Sequence, residues 1–110
     1  EYNSFFSISN KYAVPYFDNF SRYEYHNSSL VFGASLDALQ YVASKKNYSL
    51  IYCENNGVNA FFVNNNYLSD KLEPKTPSEV YKKNFKYSHI SHENFLTDDI
   101  KSLLVSVDNL

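Results

Sequence analysis

Glycine is nearly missing from this sequence: two residues in 110, beside three prolines and a single cysteine. The lone Cys53 excludes an internal disulfide, and with it the class of small secreted domains built on disulfides. No apolar run approaches the ~20 residues that a membrane-spanning helix needs, and the start carries no charged-then-apolar leader. The expected setting is soluble and cytoplasmic, with no membrane partner. Charge of one sign is lacking too. Ten Lys and Arg stand against twelve Asp and Glu, for a formal net charge of −2, with no basic run. A nucleic-acid backbone asks for a cationic stripe, so no nucleic acid is expected, although base stacking on aromatic rings is conceivable.

What the chain has in quantity is aromatic: 11 Tyr and 9 Phe, within a hydrophobic share of 44%. That is enough apolar surface to exclude a fully disordered chain. Tyr hydroxyls want water or a partner, which places many of these rings at boundaries. The length allows one domain with a modest core. With so few glycines, turn formation falls to Asn, in runs such as Asn55-Asn56 and Asn64-Asn65-Asn66, because Asn tolerates positive φ.

Residues 4–32 show no helical period and read as a loop. Pro15 forces Val14 into extended backbone. A structureless stretch of that length suits a lid or binding loop, and Phe5, Phe6, Tyr16, Phe17, Phe20, Tyr23 and Tyr25 can pin it down. The best-patterned stretch is 33–63. Ser35 is an N-cap preceded by Gly33, and Leu36, Leu39, Val42 and Ala43 share one helical face. Asp37 in the first turn and Lys45-Lys46 in the last suit the helix dipole, and Asn47 is a left-handed C-cap. This predicts a helix over 35–46. Tyr48–Cys53 follows as a strand, 48–53, and Asn56-Gly57 is a hairpin turn. The return strand is 58–63. Its consecutive Phe61, Phe62 and Val63 predict cover on both faces and an interior position, which requires a neighbour on its other side. Thr76-Pro77-Ser78-Glu79 is a capping box with Pro at the first helical position, predicting a helix through about Phe85. A last helix is expected from Thr97, with an apolar stripe of Ile100, Leu103, Leu104 and Val107. Residues 69–110 thus read as a helical tail on 1–68.

The runs Gly33-Ala-Ser-Leu-Asp-Ala-Leu, Tyr48-Ser-Leu-Ile and Gly57-Val-Asn-Ala-Phe-Phe-Val63 resemble the C-terminal part of FkbM-like methyltransferases and their uncharacterised relatives. Glu1-Tyr2-Asn3 resembles the end of the preceding strand, and Val14-Pro15-Tyr16 the segment after it. The similarity covers about residues 1–68. It implies an α/β chain that is the C-terminal half of a class I methyltransferase (Rossmann-like) fold: a helix, a terminal antiparallel β-hairpin, then two short helices. In that fold the final strand runs antiparallel between its two neighbours, so 58–63 would lie between 48–53 and a strand ending at Glu1-Tyr2. The chain opens on Glu1 rather than Met, and the expectation is a portion of a larger enzyme whose partner is its own N-terminal half. Asn47 stands where relatives carry Gly. The Gly-rich turn and the acidic ribose ligand of such folds lie upstream, so no cofactor-binding residue is expected in this chain. S-adenosylmethionine belongs to the parent protein, with a small-molecule acceptor, a sugar or related metabolite, methylated on oxygen.

In an open α/β sheet, ligands sit beyond the carboxyl ends of the parallel strands. On the resemblance, Glu1 would orient or deprotonate the acceptor hydroxyl, and Asn3 and Asn59 would hydrogen-bond substrate. The alternatives are a solvated Glu1 and an Asn59 that satisfies its own turn. His26 has the pKa range of a general base, or is a surface loop residue without a role. His89-x-x-His92-Glu93 has the spacing of two metal ligands but no third partner placed by sequence, and no metal is expected. Cys53 reads as a small buried hydrophobe. The competing function, from another class, is a non-enzymatic α+β interaction module that docks a partner through exposed Tyr and Phe.

Overall fold

The structure is a computed structural model and describes residues 1–108; Asn109 and Leu110, the end of the expected tail, lie outside the described residues. In chain order the elements are β1 (Tyr12–Ala13), α1 (Arg22–Tyr25), α2 (Leu36–Lys45), β2 (Tyr48–Cys53), β3 (Ala60–Asn64), α3 (Pro77–Val80), α4 (His92–Phe95), α5 (Asp98–Lys101) and β4 (Val105–Ser106). The chain is therefore α/β. Among the described residues it forms two small antiparallel sheets, β1–β4 and β2–β3, with several short helices around them.

The 33–63 stretch follows its local signals closely. Ser35 caps α2, its hydroxyl accepting from the Ala38 N–H at 3.1 Å. Asp37 lies in the first turn and Lys45 in the last. Asn47 takes φ 67° beyond the end of α2, and its carbonyl accepts from Asn65 N–H at 2.9 Å, which ties helix exit to hairpin exit. Gly57 supplies the turn with φ 75°. Closure comes from Glu54 N–H to the Asn59 carbonyl at 3.1 Å, so β3 begins at Ala60, two residues later than expected.

The hairpin carries a bulge. Leu50 pairs with Phe62 and Tyr52 with Phe61, leaving Ile51 as the extra residue. Leu50, Cys53, Ala60 and Phe62 pack with Leu36, Leu39 and Tyr2 under α2. Tyr52 and Phe61 are left 50% and 48% exposed, their rings stacked at 6.0 Å. This corrects the expectation that β3 is covered on both faces: the Leu50 and Phe62 side packs under α2, and the Tyr52 and Phe61 side stays half exposed. Along its second edge, one backbone bond joins this segment to the chain start, Tyr2 N–H to the Val58 carbonyl at 2.9 Å.

Outside that stretch, tertiary contacts override the pattern. Residues 4–32 are not wholly a loop: a 3-10 turn at Ser4–Phe6, β1 and α1 lie within them. The helix expected through Phe85 ends at Val80, and this too is a correction. The capping box forms, Glu79 Oε1 accepting from Thr76 N–H at 3.0 Å. Beyond it the backbone donors find better-placed acceptors elsewhere. Lys82 N–H donates to the Tyr2 hydroxyl at 3.2 Å, Asn84 N–H to Ser4 Oγ at 3.0 Å and Phe85 N–H to the Asn56 carbonyl at 3.2 Å. The last helix is likewise confined to α5. Thr97 caps it as expected, but Val105–Ser106 leaves to pair with β1, and Val107 N–H bonds the Lys11 carbonyl at 2.9 Å. Ile100 and Val107 of the expected stripe are buried; Leu103 and Leu104 are half-buried. Three short helices, not two, follow the hairpin among the described residues.

A second core gathers Phe5, Phe6, Leu30, Val31, Phe95, Leu96 and Ile100. Residues 2–6 therefore run from one core into the other, Tyr2 belonging to the first and Phe5-Phe6 to the second.

Candidate functional site

The chain start, the hairpin turn and α1 meet around a cavity of about 110 Å³ lined by Glu1, Arg22, Phe32, Val58 and Asn84 among others. A wider groove of about 490 Å³ shares Glu1, Arg22 and Phe32 and continues to Phe20, Tyr23 and Gly33. Glu1 is exposed on the rim of both.

Arg22 is the feature that sequence reading passed over. It is the sole arginine among ten cations, which is the signal that was available. Its Nε donates to the Ser29 carbonyl at 2.6 Å. Its guanidinium lies over the Phe32 ring at 3.9 Å from the centroid, with the Tyr23 ring at 5.5 Å. The ion pairs among the described residues, Lys11–Asp108 and Lys75–Glu73, do not involve it.

Asn3 also lines the cavity, 2% exposed, with its amide engaged by the backbone. Nδ2 donates to the Leu30 and Phe32 carbonyls at 2.8 and 2.9 Å, while Oδ1 accepts from Phe5 N–H at 2.9 Å. These bonds tie the 30–32 segment, and so the Phe32 platform, to the chain start. Asn59 is half-buried in the hairpin turn and donates to Glu54 Oε1 at 2.9 Å. His26 does not line the cavity. Its Nδ1 accepts from Ser28 N–H at 3.1 Å and contacts Ser28 Oγ at 2.8 Å, which makes Nε2 the protonated nitrogen of a loop staple. Of the four residues singled out from sequence, the structure brings Glu1 and Asn3 to one place.

Behind the cavity is a polar web. The Tyr2 hydroxyl donates to the Lys82 carbonyl. The Tyr81 hydroxyl and His92 Nε2 converge on the Ser4 carbonyl at 2.6 and 2.8 Å, 2.7 Å from one another. His92 is thereby engaged in the fold, and among the described residues no three His, Cys, Asp or Glu side chains converge as metal ligands. Burial holds the Tyr81 phenol neutral, pushing its pKa up to about 12. Burial first, then the neighbouring Cys53, pushes Tyr2 upward as well. Cys53 is 1% exposed, and burial raises its thiol too, the opposite of what a nucleophile needs.

A separate hollow of about 470 Å³ lies between β2 and the 70–75 loop. It carries Asp70, Lys71, Glu73 and Lys75, and the last two pair with each other at 3.7 Å. No helix among the described residues is long and apolar enough to cross a membrane. No family model matches the chain, and no curated protein and no solved structure matches it either.

Proposed function

We propose that the chain is the acceptor-side, C-terminal portion of an S-adenosylmethionine-dependent methyltransferase of the FkbM-like kind, acting on an oxygen of a sugar or related small metabolite. The observation that carries this reading is the bond from Tyr2 N–H to the Val58 carbonyl at 2.9 Å. It sets the end of an incoming extended segment against the residues that lead into β3. If chain upstream of Glu1 extended this contact as an antiparallel ladder, it would lie along Ala60–Asn64, an edge that holds no other described strand. An open edge and a bare Tyr52–Phe61 face are liabilities in a finished sheet, and an N-terminal half of the same protein would relieve both.

The residues present do not fit the cofactor. A nested Gly-rich turn between strand and helix is required. Here Gly57 packs against the Lys83 backbone, and Gly33 stands alone ahead of α2. The contribution of this chain is to hold the acceptor: Glu1 on the cavity rim accepts a hydrogen bond from its hydroxyl and, as a base, takes the proton.

The test is calorimetry with S-adenosylmethionine on the parent gene product and on this chain. Binding by the parent and none by the 110-residue chain is the expected result. A parent that takes up no cofactor, or a start codon immediately before Glu1, overturns the reading. The second reading, an interaction module, is favoured by the same exposed Tyr52–Phe61 stack and would then stand.

A further inference from the structure

Arg22 is held on two sides and open on a third. Its Nε is fixed by the Ser29 carbonyl at 2.6 Å, and the plane of its guanidinium is fixed by the Phe32 ring at 3.9 Å. A fold staple needs no more than that one donor. The two terminal nitrogens have no acceptor among the described residues, and Arg22 lines both the 110 Å³ cavity and the 490 Å³ groove. A guanidinium fork immobilised in this way matches two oxygens of a carboxylate or phosphate, and its ordering cost is already met by the fold.

We propose that Arg22 is an oxyanion-binding residue, taking the carboxylate or phosphate of a small ligand that lies in the groove beside it with a hydroxyl toward Glu1. The naming of that ligand as the methyl acceptor rests on the function proposed above; the oxyanion site itself does not. The charges sort the ligand's two ends. Within the longer parent, where residue 1 has no α-ammonium, the Glu1 carboxylate lining the same cavity repels an anionic group, so the anion belongs at the Arg22 end and the neutral hydroxyl at the Glu1 end. Phe20, Tyr23 and Phe32 supply the apolar walls between. The acceptor class is therefore a hydroxylated small molecule bearing one acidic group, such as a uronic acid or a sugar phosphate.

The experiment is an NMR titration of the full ¹⁵N-labelled chain with inorganic phosphate and, separately, with acetate, at ionic strength held constant with chloride. Saturable shifts centred on the Arg22 Nε–H, Phe32 and Gly33 are expected with at least one of the two anions. The anion that saturates identifies the phosphoryl or the carboxylate source. Arg22→Lys keeps the charge and loses the fork, and should weaken binding about tenfold. Phe32→Leu removes the platform and should weaken it about threefold. Shifts in the unsubstituted chain that never saturate, or that spread over Lys71, Lys75 and Lys101, overturn the proposal. So does an Arg22→Lys variant that binds as tightly as the original. No cofactor enters this titration, so its failure leaves the methyltransferase reading standing, and failure of the parent to bind cofactor leaves the anion site standing.

Discussion

Gly57 has no room for a side chain. A Cβ there would overlap the Lys83 carbonyl, and the backbone sits at φ 75°, where L-residues are strained. Gly57→Ala is therefore expected to destabilise by more than about 2 kcal/mol, read from the denaturant midpoint. Gly33 has φ 66° but nothing within 4 Å of a Cβ, so its replacement meets backbone strain alone. Asn-Gly was legible as a turn. That the turn presses on residue 83 was not, because the contact joins positions far apart in sequence. Asn3 has long-range partners too: the resemblance makes its carboxamide a substrate contact, and in the structure both polar atoms bond the chain's own backbone. Arg22 is the converse, a residue without local signature that the fold gives a platform and an open fork.

At the scale of elements, α2 is the case where every level agrees. Its cap, first-turn Asp37, last-turn Lys45 and inward Leu36 all specify one helix. Ser35 does more than cap. It is fully buried, and its hydroxyl also donates to the Asn10 carbonyl at 2.8 Å, holding the 4–32 region against the helix entrance. Ser35→Ala should cost about 1–2 kcal/mol in thermal or denaturant unfolding, while the helix itself remains visible by circular dichroism. The short helices behave otherwise. α3 and α5 start where Thr76 and Thr97 mark them and stop after four residues. A cap can nucleate a turn, but propagation adds one modest bond per residue. After α3, Tyr2, Ser4 and Asn56 offer competing acceptors, while after α5 the Leu103 and Leu104 N–H groups close local turns on the Ile100 and Lys101 carbonyls.

Across the whole molecule, two cores share one spine, residues 2–6, and the chain is elongated, 44 × 30 × 23 Å. The spine is locked from behind by the Tyr2, Tyr81 and His92 web. Its buried phenols are neutral in the folded state, so the sign of the alkaline response follows. Below the ordinary tyrosine value of 10.0 folded and unfolded chains hold the Tyr81 proton alike. Between pH 10.0 and about 12 the unfolded chain has released it while the folded chain retains it, so stability falls as pH rises through that window. Tyr2, shifted in the same direction, extends the decline. Denaturant midpoints measured from pH 9 to 12 should drop, with a shallower slope in Tyr81→Phe; an unchanged slope in that variant contradicts the assignment.

Local chemistry determined what local bonds can decide: helix α2 with its caps, strand β2, the Asn-Gly turn, the left-handed Asn47 and the starts of α3 and α5. The caps, the turn and Asn47 depend on groups within four or five residues of one another, and β2 on a partner brought back by that turn, so the pattern and the outcome share a cause. The remainder depended on partners tens of residues away. Tertiary structure decided that 82–85 run across the hairpin turn instead of continuing a helix, that Val105–Ser106 pairs with β1, and that Phe61 is left bare. It also brought Glu1, Arg22 and Phe32 to one cavity. Backbone donors and apolar faces accept whichever acceptor or layer folding places beside them, and that placement is written in no single stretch of the chain.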